Sequence, residues 1–167
     1  MKKIVSIIGI LLICSTISAQ IGKFQALYIL NFAKEIGWPD TKSDKQFIIT
    51  VIGDNQVASE LTKLAKTKSI GSRPVVVKEA PSVNGLVKSD MIVLGESKAA
   101  MIDQLVQLQS GNQSVIISCK QGHCSNGACI SFAQEGSRLG FEISAQNFKK
   151  KSLNVHNKLL QLGTQVD

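Results

Sequence analysis

Ser114 to Asn147, SVIISCKQGHCSNGACISFAQEGSRLGFEISAQN, is the stretch whose reading decides the fold. It opens on a continuous apolar run, Val115-Ile116-Ile117, and crosses a loop holding Cys119, His123 and Cys124. Two further runs follow, Ala128 to Ala133 and Leu139 to Ile143, joined by Gln134-Glu135-Gly136-Ser137. Two short apolar runs separated by a Gly-containing turn predict a β-hairpin. The unbroken run before them predicts a strand covered on both faces, because a half-exposed strand would alternate. Three of the four cysteines and one of the two histidines fall in this stretch, so any chemical switch in the chain belongs here.

Upstream, runs of the same kind alternate with helical patterns. Phe47 to Ile52 is nearly all apolar and β-branched, and predicts a central strand ending at Gly53-Asp54. Asn55 is the expected cap of a helix carrying Ala58, Leu61, Leu64 and Ala65. Pro74 to Val77 and Met91 to Leu94 predict two more strands. After Gly95, the residues Ala99, Ile102, Leu105, Val106 and Leu108 predict an amphipathic helix stopped near Gly111. Strands alternating with helices argue for a mainly parallel sheet with helices on both faces. The expectation is a three-layer α/β/α sandwich with an antiparallel hairpin at one edge.

The flanks are helical. Phe24, Leu27, Tyr28 and Phe32 recur at three- and four-residue intervals, with Asn31 the polar exception, so they predict the buried face of a helix over 21–35. Gly37 can close it, and Trp38-Pro39 forces an extended exit. Trp38 reads as a lid over the helix end, or as one wall of a ligand pocket near Arg73. At the far end Ser144 can cap a helix over 145–151. Leu153, Val155, Leu159, Leu160 and Leu162 supply a last apolar stripe, with Asn154 its expected cap.

Residues 1–19 read as a secretory signal peptide: Lys2-Lys3, an apolar run from Ile4 to Ile13, then the small residues Ser15, Thr16, Ser18 and Ala19. The run is shorter than the roughly 20 apolar residues that span a bilayer. Ile13 stands before Cys14 where a lipidation signal needs a small residue. Residues 20–167 suit a single domain, since domains commonly run about 100 to 150 residues. The formal charge is +7; losing Lys2 and Lys3 with the leader leaves an excess of about five, a matter of solubility and steering. Export and the scarcity of aromatics among the lysines argue against nucleic acid as a partner.

Motifs for catalysis are missing. Gly53-Asp54-Asn55 lacks the glycine pattern that cradles phosphates, and there is no Gly-x-Ser-x-Gly elbow. The histidines have no evident Ser or Asp partner in sequence. Cys119, His123, Cys124 and Cys129 are a zinc set in kind but not in spacing, so no metal and no cofactor is expected. A thiol nucleophile has no Cys-x-x-Cys context. In an exported chain the default is a disulfide. Cys124 and Cys129 bracket Ser125-Asn126-Gly127-Ala128, a turn able to bring them together, with Cys119 to Cys124 as the rival pairing. Either leaves one thiol over, inert or open to a second chain, so a homodimer stays open. Lys149-Lys150-Lys151 reads as a solvated helix end, with a basic patch for a membrane or partner as the sharper alternative.

With these residues laid out, the chain resembles the YfiR-like family of periplasmic proteins. The resemblance is carried by Phe24 to Pro39, the strand Phe47 to Asp54, Gly71 to Val77, and Arg138 to Gly163. It implies an αβ fold without enzymatic activity and a periplasmic location. It also implies a repressor that binds the sensing domain of an inner-membrane diguanylate cyclase, holds down cyclic-di-GMP production and so biofilm formation, and carries a redox-sensitive disulfide. By the same resemblance Cys124 sits where the family's carboxy-terminal disulfide begins. Cys129 comes about two residues before the expected partner position. A histidine kinase served by a small-molecule-binding protein is the alternative partner.

Overall fold

The structure, a computed structural model, describes residues 20–39, 45–135 and 138–166. The expected signal peptide and the turn residues Gly136 and Ser137 lie outside them. Ten strands and five α-helices are described. The first helix, α1, covers residues 20–34. It is followed by β1 (Ile36–Gly37), β2 (Phe47–Ile52), α2 (Asn55–Ala65), β3 (Ser69–Ile70), β4 (Arg73–Ala80) and β5 (Met91–Leu94). A 3₁₀ helix (Glu96–Met101) runs into α3 (Ile102–Leu108), then β6 (Val115–Ser118), β7 (Ile130–Glu135), β8 (Arg138–Ile143), α4 (Ala145–Lys150), β9 (Asn154–Val155), α5 (Asn157–Leu162) and β10 (Thr164–Gln165).

Eight strands form one sheet in the order β10-β8-β7-β6-β5-β2-β4-β3. From β4 to β7 every neighbouring pair is parallel. The expected hairpin is β7–β8, antiparallel with Phe132 opposite Phe141, and the two-residue β10 lies beyond it. The strands sort their side chains as a doubly covered sheet must: Met91, Val93, Val115 and Ile117 face one core with α1 and α2, while Ile92, Leu94 and Ile116 face another with α3. That alternation makes the three layers. The α/β/α reading holds.

Several local expectations are corrected. The face of α1 that enters the core is Ala26, Ile29, Leu30 and Ala33 with Phe32, at helical spacing, whereas Phe24 is 53 % and Leu27 38 % exposed. Small Ala26 and Ala33 bring the helix close to the sheet, which sets its rotation. Gly37 does not end α1 as a cap; with Ile36 it forms a short strand against Asn154–Val155. Asn154 is therefore in a strand, and the residue capping α5 is His156, with no side-chain cap bond. Asp54 rather than Asn55 caps α2, its carboxylate accepting from the Val57 N–H at 2.9 Å. Ser144 caps α4 as expected.

Candidate functional site

In open parallel sheets a ligand usually sits beyond the carboxyl ends of the strands, where the chain order reverses. Here that point lies between β2 and β5, and it is closed. The Gly95 N–H bonds the Ile52 carbonyl, and a Cβ on Gly95 would sit 2.6 Å from the Gly53 oxygen. Ser97 Oγ donates to the same oxygen at 2.6 Å, and Lys98 packs over Gly53, whose φ is +70°. Two other places hold chemistry: the loop after β6 and the amino ends of the same strands.

The loop after β6 exists because β6 and β7 overlap by only two residue pairs, Ile117 with Ile130 and Ser118 with Ser131. A parallel connection normally needs a helix to return along the strand. With so small an overlap, residues 119–129 suffice as a loop. It is pinned from all sides. The Gly122 N–H donates to Glu142 Oε2 at 2.8 Å, and Asn126 Nδ2 to Asp103 Oδ1 at 3.0 Å. From α4, Asn147 Nδ2 donates to the Cys124 and Ala128 carbonyls, both at 2.8 Å. Ser118 Oγ lies 2.8 Å from His123 Nδ1 and also accepts the Lys120 N–H. His123 thus has a serine partner that its sequence context did not suggest. Ser118 is fully buried, and this pair staples the loop to the end of β6.

The three cysteines are free thiols; the Cys124–Cys129 bridge expected from the turn is not formed here. Cys124 and Cys129 are buried and Cys119 partly so. Burial pushes Cys119 well above its ordinary value, with Asp54 and Glu96 adding to it. Burial also pushes Cys124 and Cys129 up to about 11 each. Against this, Ser131 acts on Cys124, and on Cys129 the Ile116 backbone and then the Lys151 ammonium. Cys129 adds a smaller rise at Cys124. Protonated, buried thiols are poor nucleophiles at neutral pH. Ser131 Oγ is buried beside the Cys124 thiol, on which it acts. Among the described residues no three His, Cys, Asp or Glu side chains gather as a metal site requires.

At the amino ends a cleft of about 1180 Å³ opens between β2, β4, β5 and α4. It brings Trp38 and Arg73 together with Lys150 and Lys151, while Lys149 is exposed outside its lining. Trp38 covers the end of α1 and also borders the cleft. Its indole N–H caps the Ala33 carbonyl at 2.7 Å, its ring meets Phe47 edge-on at 4.8 Å, and it borders the cleft. Arg73 lies over the Phe47 ring, 5.0 Å from the centroid, and Nη1 donates to Asp90 Oδ1 at 2.7 Å. Asp90 Oδ2 accepts the Ile48 N–H. Lys151 corrects the expectation of a solvated helix end: it is 9 % exposed, and Nζ donates to the Gln109 and Asn112 carbonyls beyond α3. Orphan carbonyls at a helix end attract a cation, which explains the burial. Asp90 and Lys45 were not singled out in sequence; the one signal was a carboxylate directly preceding an apolar strand.

No helix among the described residues is long and apolar enough to cross a membrane. A closed switch point, a pinned loop of buried thiols and an open cleft bordered by lysines mark this α/β domain. The sequence model of the YfiR/HmsC-like family matches residues 22–164, which takes in nearly all of the sheet, and the chain belongs to that family. This is a family of periplasmic regulators of cyclic-di-GMP signalling, generally non-enzymatic. No curated protein matches the chain.

Proposed function

We propose that residues 20–167, freed of a cleaved leader, act in the periplasm by binding the sensing domain of an inner-membrane signalling protein and repressing it. The partner is a diguanylate cyclase, so the output is lower cyclic-di-GMP and less biofilm. The observation that carries this reading is the family match over residues 22–164, which begins just beyond the expected leader. The docking face is apolar. Ile21, Phe24 and Tyr28 of α1 border a groove of about 540 Å³ with Leu139 and Arg138 of the hairpin, and Leu27 is exposed on the same helix. Redox state controls docking. Cys124 and Cys129 each give up a proton and an electron to form one disulfide, the electrons passing to an envelope protein disulfide that becomes a dithiol. Cross-linking tagged protein in cells and recovering it from membranes, with and without reductant, tests this. A membrane cyclase recovered in a reductant-dependent manner is expected; no membrane protein in either condition, and unchanged cyclic-di-GMP on gene deletion, would refute it.

A second reading is supported by the cleft beside Trp38 and Arg73: a small-molecule-binding protein that reports to a sensor histidine kinase. Trp38 is the sole tryptophan, so its fluorescence reads occupancy. Silence against a broad ligand pool would count against it.

A further inference from the structure

The lining of the cleft at the amino ends is unbalanced in charge. Lys45, Arg73, Lys88, Lys150 and Lys151 border it, and among the described residues Asp90 is the one carboxylate there. Both Asp90 oxygens are engaged, Oδ1 by Arg73 and Oδ2 by the Ile48 N–H. Arg73 and Lys151 are committed to the fold through Asp90 and through the carbonyls after α3. Lys150 Nζ is held by a neutral amide oxygen, Asn147 Oδ1 at 3.3 Å, which orients the ammonium without neutralising it. An excess of one sign of charge around a concavity raises the potential in its interior.

From this we infer that the cleft binds a small soluble polyanion, a solute carrying two or more carboxylate or phosphate groups. The inference rests on the reading that this cleft is a ligand site, and adds the chemical class of the ligand. Lys45 and Lys150 meet the anionic groups as charge-assisted donors, while Arg73 stays paired with Asp90. The Trp38 ring forms an apolar wall for the ligand's carbon frame. Size agrees: about 1180 Å³ holds a small organic anion with its first waters. A soluble anion is the occupant proposed, since the polar residues Gln46, Ser89, Asn112 and Ser114 line the cleft along with the lysines.

The test is titration of the full mature chain with citrate and with pyrophosphate, following Trp38 fluorescence, with glucose as the uncharged probe and phosphatidylglycerol vesicles as the lipid probe. Expected is a saturable response to at least one soluble anion and none to glucose. The double variant Lys45→Glu/Lys150→Glu should bind roughly tenfold more weakly or worse, since charge-assisted bonds are lost. Salt at about 0.3 M should weaken wild-type binding. Both lysines are exposed, so an unchanged thermal melt verifies that the variant is folded. A Trp38 response to an uncharged ligand pool with none to either anion would overturn the anionic class and leave the ligand-site reading standing. Silence toward every probe would overturn both. Binding to vesicles alone, or anion affinity unchanged in the double variant, would overturn the soluble-anion site.

Discussion

At the loop after β6, Glu142, Asp103, Ser118 and Asn147 are spent on holding the chain, whereas at the amino ends of the strands Lys45, Lys88 and Lys150 border a cleft. The first region keeps its reactive groups protonated and out of water; the second keeps its charges at the surface of a cavity. Parallel sheets usually reserve the carboxyl ends for ligands. Here Gly53, Gly95 and Ser97 close that position, and the open concavity is at the other end. The six-residue α4 touches both regions: Asn147 grips the Cys124 and Ala128 carbonyls, and Lys150 stands in the cleft wall. A change in one region therefore has a short rigid element through which to reach the other.

Breaking the loop's clamp should have the largest effect. Asn147→Ala removes both bonds from Nδ2 and the Oδ1 contact to Lys150. The cost is about 3 kcal/mol, because buried carbonyls lose partners that water does not replace. Urea unfolding measures it, and the alkylation rate of Cys124 should rise as the loop opens. Unchanged stability would mean that the loop is held from the β-sheet side alone.

At the cleft, Asp90→Ala should separate stability from ligand affinity. Arg73 and Asp90 side chains are only 11 % and 18 % exposed, so solvent screens the pair poorly. Removing the carboxylate leaves a largely buried guanidinium unpaired and the Ile48 N–H without its acceptor, a loss of about 2 kcal/mol. The cleft meanwhile loses its one described carboxylate, so citrate or pyrophosphate should bind more tightly. Melting temperature and anion affinity then move in opposite directions. If both fall, Asp90 shapes the cleft more than it opposes the anion.

The two thiols give the loop a pH signature of its own. Cys124 and Cys129 stand at about 11 in the folded chain against an ordinary 9.0. Between those values the unfolded chain has released protons that the native state still holds, so stability must fall as pH rises. The stabilisation is complete below pH 9 and is lost through pH 11, at about 1 kcal/mol per thiol by pH 10. Denaturation series at pH 8, 9 and 10 measure it, and replacing both cysteines by serine should reduce the slope, leaving the share of Cys119, which burial also raises. A slope that survives the replacement belongs to other groups. Lys151, lowered by burial, acts with the opposite sign.

The sheet was legible because buried parallel strands are written as short unbroken apolar runs, and Phe47–Ile52, Met91–Leu94 and Val115–Ser118 are of that kind. Helix orientation was less so. Phe24 and Leu27 fit the helical period as well as Ala26 and Ile29 do, and only packing against Phe132 and Phe141 decides which face turns inward. The cysteine stretch was visible as a cluster, but its pinning depends on Glu142 and Asn147, about 20 residues away. The cleft was half legible: Trp38 and Arg73 were read as neighbours and Lys150 as a separate patch. Their convergence depends on α4 running back to the amino ends, which no local pattern states. Lys151 was misread for the same reason, since its partners lie beyond a different helix.

The smallest effect on stability should come from the surface that the docking proposal needs most. Phe24 and Leu27 lie outside the inward face of α1. Replacing both by serine removes no core contact, and such surface changes usually stay within about 0.5 kcal/mol. If this face docks on a membrane sensor, the same change removes apolar anchors of the kind that dominate interfaces, and the cross-linked partner should be lost. The two measurements together are decisive for the face. An unchanged melt with lost cross-linking places the partner on α1 and the hairpin, outside the lining of the cleft. An unchanged melt with cross-linking intact moves docking elsewhere. Anion binding followed by Trp38 should be the same in the variant and the wild type, because the cleft and this face lie at opposite ends of α1.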